Sequence, residues 1–482
     1  MAVFAEAYKE LCAEDDETPE DNAETPFVLT RMFYEDHQKA IYSCCFNPYA
    51  AKDHPPLLAT VGINQCVIYE VSTTPGGPIQ PVRCFSDASR RFPDEDSPGK
   101  KTVMTTDKFY TVNWLFDEKD DCLMVVYGGE SSTIHCVNVK TGAHVKIHYG
   151  HGNVVNDIRV HPSKSTVYAS CSKDTTIRLW SSRCPHALAV FAGFTGHRDQ
   201  VLSLDFSLCG MYVLSASMDH TVKMWPVTDQ LQDRIEETTA VEFDYEKSPL
   251  LPEPRESRFG LLTRVLDEPL EIMWPIGETG DLHTNYVDCV RTFHDFVFSK
   301  SSENQIKLWK FGDFRDGFAG GGALIKDKEG DPCPETSISQ LATLFLWNGD
   351  TWFLKFAIDP LERWLVAGVR DGYLHMWKLH ADDIPQPRPD MEIQVGPCVV
   401  RQISFDPYGR MMMSVSDDGS ISRIDRVFKG QAVPVAYKVP PRARDLPTEP
   451  LEDEKFEMLL KQQQVERDAS AAMKDKSDAE NV

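Results

Sequence analysis

The chain has 482 residues, a formal net charge of -24 and a hydrophobic content of 41%. That content suffices for two or three ordinary domains or for one large closed repeat array. The acidity excludes a free-standing DNA binder, which needs clustered Lys and Arg against phosphate, and suits basic partners better.

Residues 1–27 include AEDDETPEDNAE, a charged stretch expected to be a disordered tail. Order is expected to begin near Phe27–Tyr34. AIYSCCFNPY and PLLATVGINQCVIYEV then read as strands of a first repeat, about 39–71, ending in Tyr69-Glu70. Residues 72–104, rich in Pro, Asp, Ser and Lys, read as an exposed insertion. A second repeat, about 108–144, offers FYTVNWLF, CLMVVYGG and TIHCVNV.

From Gly150 to Trp225 the chain repeats itself. Two segments of about 45 residues each begin with Gly-His and end with an aspartate six residues before a tryptophan. The sets are His151, Asp174, Trp180 and His197, Asp219, Trp225. This period belongs to one four-stranded propeller blade. A histidine that reaches a strand hydroxyl and a turn aspartate under a tryptophan is a folding device, because such a buried network is stable when every member is paired.

An insertion is expected over 226–281, with TDQLQDRIEETT as a short helix and five prolines breaking the remainder. A fifth repeat keeps His283, Glu303 and Trp309. Residues 310–340 form a third insertion. Its Gly320–Gly322 run is not a phosphate loop, since no Ser or Thr follows Lys326. The sixth repeat (341–378) has Asp371 before Trp377. The seventh (396–426) has Asp418, with Ile424 replacing the tryptophan. The fold expected is all-β: a single seven-bladed β-propeller over 28–430, followed over 431–482 by a linker and a helix, LEDEKFEMLLKQQQVERD.

No paired carboxylates in a plausible cleft, nucleophile elbow or metal-ligand spacing is legible, so neither an enzyme nor a cofactor is expected. The 13 cysteines form no CxxC pair and suit reduced, mostly buried thiols of a nuclear or cytosolic protein. No secretory signal and no apolar run of membrane-spanning length is seen.

The segments GHGNVVNDIRVHP, TGHRDQVLSLDF, MDHTVKMW and NYVDCVRTFHDFVFSKSSENQIKLW together resemble the EED/ESC family, the WD-repeat subunits of Polycomb repressive complex 2. The resemblance spans about 39–426. It implies a non-catalytic nuclear subunit that scaffolds and stimulates an Enhancer of zeste-type methyltransferase, works with other Polycomb subunits and binds a trimethylated histone H3 tail. It implies neither sequence-specific nucleic-acid binding nor a membrane.

Aligned on the last apolar residue of each first strand, Phe46, Trp114, Val160, Phe206, Phe356 and Phe405 coincide. Four residues earlier stand Tyr42, Tyr110, Asn156, Leu202, Trp352 and Arg401. In a propeller these positions ring one mouth of the central channel. Blades six, seven, one and two are neighbours once the ring closes, so three aromatics meet there with an arginine. Aromatics at these places also suit core packing, and a scaffold without methyl-lysine reading is the alternative. The resemblance implies an aromatic cage at Tyr42, Tyr110, Trp352 and Phe353, with Phe353 standing where the family usually has tyrosine. It also implies that Arg401 lines the peptide groove. Lys355 could lie near that groove or across the sheet, and Asp288 is expected to be blade-internal.

Overall fold

Seven antiparallel sheets succeed one another along the chain, and their first strands pack side by side in a ring. The computed structural model describes residues 26–35, 37–86, 108–240, 268–312, 325–326, 332–379 and 384–430. The expected acidic tail up to residue 25 and the expected linker and helix at 431–482 lie outside these. One apolar core sits between each blade and the next. Trp114, Trp180, Trp225, Trp309 and Trp377 are fully buried in these cores. The middle strands are buried on both faces because each sheet is sandwiched between two others.

The histidine networks form as the repeats predict. His151 meets Ser170 Oγ at 2.7 Å and Asp174 at 2.9 Å, and the Trp180 indole N–H donates to the same Ser170 at 2.8 Å. His197, Ser215, Asp219 and Trp225 repeat this at 2.7, 2.9 and 2.9 Å. Burial pushes both imidazoles down, although the aspartates pull the other way. Desolvation alone would raise Asp174 and Asp219, but bonds from the imidazoles and from Thr176 and Thr221 outweigh it and hold both well below the usual carboxylate range. In blade five His283 and Trp309 share Ser299 at 2.7 and 2.8 Å.

Blade one builds a different network. Glu35, buried, accepts from the Thr60 hydroxyl at 2.7 Å and the Tyr69 hydroxyl at 2.9 Å, and faces His37 at 2.7 Å. Tyr69 thus replaces the tryptophan and Thr60 the serine. Blade six has Ala367 at the hydroxyl position, and the Trp377 indole N–H has no hydrogen-bond partner among the described residues.

The three expected insertions need correcting. The first two contain the outer strand of the preceding blade, Ile79–Ser86 for blade one and Gly277–Thr279 for blade four, and the outer strand of blade five, Ile338–Phe345, begins at the end of the third. Blade two ends in His144–His148, and blade six runs from Ala357 to Gln394 rather than from 341. Outer strands escape a period-2 search because a sheet edge is exposed and need not alternate. Ile79–Ser86 is solvent-exposed at most positions and carries Pro81.

The expected helix forms over Asp229–Ala240 and buries Leu231, Ile235 and Thr238 on one face. Lys119 donates to the Thr239 and Ala240 carbonyls at 2.7 and 3.1 Å, and Arg183 to Thr239 at 3.0 Å. Cations at a helix C-terminus complement its dipole. Leu270–Ile272 then adds a fifth strand, parallel, to the edge of blade three.

Closure uses the first strand, Phe27–Tyr34, as the outer strand of blade seven, paired with Ser420–Arg426. Beside it Arg423, fully buried, pairs with Asp425 at 2.8 Å and donates to the Thr74 and Gly77 carbonyls at 2.7 and 3.2 Å.

Candidate functional site

Six inner strands carry the same irregularity. The pairing register slips between Ile41 and Ser43, Phe109 and Thr111, Val155 and Asp157, Val201 and Ser203, Val287 and Cys289, and Val400 and Gln402. The skipped residues are Tyr42, Tyr110, Asn156, Leu202, Asp288 and Arg401. Such a bulge leaves one residue out of the ladder and re-aims its side chain. The ring of positions read from the repeats is therefore a ring of bulges. Blade six differs: its inner strand begins only at Ala357, and Trp352 and Phe353 precede it.

Four aromatic rings meet there. Tyr42 and Tyr110 lie 4.9 Å apart between ring centroids. Phe353 lies 6.3 Å from Tyr42, 6.0 Å from Tyr110 and 5.9 Å from Trp352. All four pairs are edge-to-face, the arrangement favoured by aromatic quadrupoles. Phe353 is 6% exposed and Trp352 is 51% exposed, so one ring floors the group and the other projects into solvent. Phe353 has φ +64°, the left-handed region that a bulky L residue adopts only under constraint.

Arg401 is committed on two sides. It pairs with Asp417 through Nε at 2.6 Å and Nη2 at 2.7 Å, and its Nη1 donates to the Trp352 carbonyl at 2.9 Å. The same residue's carbonyl accepts from the Lys355 N–H at 2.9 Å. Lys355 does not line an open groove. Its Nζ is buried and donates to the Leu202 and Asp288 carbonyls at 2.6 and 2.9 Å, 5.0 Å from the Phe353 ring centroid. Asp157 stands 3.4 Å from that Nζ.

Asp288, expected to be blade-internal, is the blade-five member of the ring. The landmark four residues later is Thr292, which is polar and so gave no apolar signal. Asp288 is fully buried, and Lys300 donates to both its oxygens at 3.0 and 2.9 Å. Chemically, the site offers apolar π faces and few acceptors. Among the described residues no three His, Cys, Asp or Glu side chains gather as a metal site.

Known proteins bear on this geometry. The WD domain, G-beta repeat family model matches residues 142–181 and 189–226, which are the two strong repeats. The Polycomb protein esc of Drosophila virilis is 30% identical over 395 residues, covering 81% of this chain and 82% of that protein. The Polycomb protein mes-6 of Caenorhabditis elegans is 30% identical over 449 residues, covering 86% and 94%. A chain of the polycomb repressive complex 2 crystal structure from Chaetomium thermophilum superposes with a TM-score of 0.65 at 18% identity, covering 85% of this chain and all of that one.

Proposed function

Because the chain belongs to the esc family of Polycomb WD-repeat proteins, we propose that it is a non-catalytic nuclear subunit of a Polycomb repressive complex 2, and that its four-ring site reads a trimethylated lysine of the histone H3 tail. In this role it scaffolds and stimulates an Enhancer of zeste-type methyltransferase subunit, alongside other Polycomb subunits. The scaffold part is supported by relatives that carry the Polycomb name over most of their length and by the complex in which the similar fold occurs.

The reading part is carried by one observation: Tyr42, Tyr110, Trp352 and Phe353 converge at one mouth of the channel, with Phe353 held at a left-handed φ. A quaternary ammonium cannot donate a conventional hydrogen bond, and its methyls are apolar. Ring faces supply both cation–π attraction and apolar contact, roughly 0.5–2 kcal/mol per good contact. An unmethylated ammonium stays strongly hydrated and finds no acceptors among the rings, so it is disfavoured. Arg401 supports Trp352 through its carbonyl and, in this reading, faces the peptide backbone along the groove.

The test is calorimetric titration of matched unmethylated and trimethylated H3 peptides. Trimethylated peptide should bind more tightly, and Trp352→Ala should cost about 1–3 kcal/mol, roughly ten- to more than hundredfold. Equal affinity for both peptides, or no effect of the substitution in a folded protein, would leave a scaffold that does not read.

A further inference from the structure

We propose that Asp288, paired with Lys300, is a positioning residue of this site: its carboxylate fastens the Leu354 amide and thereby holds Phe353 in its left-handed conformation. The inference rests on the methyl-lysine reading for its purpose but not for its geometry.

Among the described residues, only the sixth blade lacks a ladder at the level of the site. Its inner strand pairs with Trp364–Gly368 at Ala357 and Ile358 alone. Residues 352–355 therefore hang from their neighbours. Yet Phe353 keeps a strained conformation that persists only where surrounding groups over-determine it. Three bonds supply that constraint. Arg401 of blade seven donates from Nη1 to the Trp352 carbonyl at 2.9 Å, and its own carbonyl accepts from the Lys355 N–H at 2.9 Å. From the other side, Asp288 Oδ2 of blade five accepts the Leu354 N–H at 3.2 Å. Phe353 sits between these anchors.

The Asp288–Lys300 pair is otherwise hard to account for. Both side chains are shut away from solvent, and a buried ion pair is commonly no more stabilising than apolar residues of the same volume. It does, however, aim an acceptor that an apolar pair cannot provide. Asp288 also occupies in blade five the bulge that presents Tyr42 and Tyr110 in blades one and two. On that side of the mouth the bulge serves as a fastener for the rings opposite.

The experiment compares wild type with Asp288→Leu/Lys300→Met, an uncharged replacement of both partners, in the full chain bound to its methyltransferase subunit. Without peptide, hydrogen exchange at Phe353–Lys355 should accelerate while other blades stay protected. With peptide, affinity for trimethyl-lysine should fall about tenfold, the order expected if the strained conformer is released, and discrimination against unmethylated lysine should shrink. Asp288→Asn/Lys300→Met, which keeps an acceptor for the Leu354 amide, should retain slow exchange and most of the discrimination. If the leucine variant does not fold, Asp288→Ser/Lys300→Met, too short to reach the amide, is judged by the same criteria. Wild-type exchange at 353–355 together with wild-type discrimination in a folded variant overturns the proposal. Failure of wild type to prefer trimethylated peptide overturns the reading above instead, while exchange still decides the positioning role.

Discussion

Acidification from pH 7 to pH 5 should destabilise the ring steeply, and three buried histidines set the scale. His148 stacks on Trp180 at 5.0 Å, donates from Nε2 to the Cys184 carbonyl at 2.9 Å and takes the Tyr168 hydroxyl at Nδ1. His161 accepts the Ser163 N–H at 3.2 Å and packs on Phe206, and His283 holds Ser299. Burial pushes His148 and His161 down to about 4 and His283 to about 3. An imidazole in an unfolded chain titrates near 6.5. The folded value is the lower one, so the stabilisation is complete above the unfolded value and is lost as pH falls through it toward the folded value. From pH 7 to 5 each histidine should cost on the order of 2 kcal/mol, roughly 5 kcal/mol together, against a typical total of about 5–15 kcal/mol. Asp205, Asp359 and Asp406 are pushed up by burial and act in the opposite sense. Urea unfolding followed by tryptophan fluorescence at half-unit steps reads the slope, and His283→Gln should flatten it by less than a third, because His151 and His197, also pushed down by burial, add to it. Stability that is level across this window would refute the neutral, buried state assigned to these rings.

Arg423→Met should leave the Asp425 carboxylate buried without its partner and cost about 3–5 kcal/mol, seen as a lower urea midpoint and a freer Phe27–Tyr34 strand in limited proteolysis. His151→Ala should cost about 1–3 kcal/mol by removing one buried hydrogen-bond partner from each of Ser170 and Asp174, with peptide affinity of the folded protein unchanged in calorimetry. Phe353→Tyr should change peptide affinity far less than Trp352→Ala, because the ring face is already present; a tenfold gain would mean that a hydroxyl contact matters more than the π surface.

What the residues disclosed depended on how local the physics was. Each histidine network lies within one repeat, so His151, Asp174 and Trp180 could be read directly. Blade one hid its network because Glu35 reaches Thr60 and Tyr69 from outside the repeat and uses none of the usual residue types. The outer strands were concealed by exposure, as the Pro-containing Ile79–Ser86 illustrates. At the site, Tyr42, Tyr110, Trp352 and Arg401 followed from counting back four residues from an apolar landmark. The rule failed in blade five because Thr292 occupies the landmark. Nothing in the order of residues announces that Phe353 is left-handed, since that state is imposed by Asp288 and Arg401 from other blades.

The closure of the ring also sets a schedule for synthesis. Thr30 in the first strand bonds the carbonyl of Arg423, 393 residues away. At about 5–20 residues per second, the ribosome adds that length in roughly 20–80 s. Throughout that interval FVLTRMFY, an apolar strand with an unpaired edge, waits outside the tunnel for a mate not yet made. Blades one to six can each pair their four strands as they emerge, whereas the seventh ends its assembly by retrieving the oldest strand on the chain. A slowed ribosome should lengthen the time this edge is exposed and so lower the yield of folded protein.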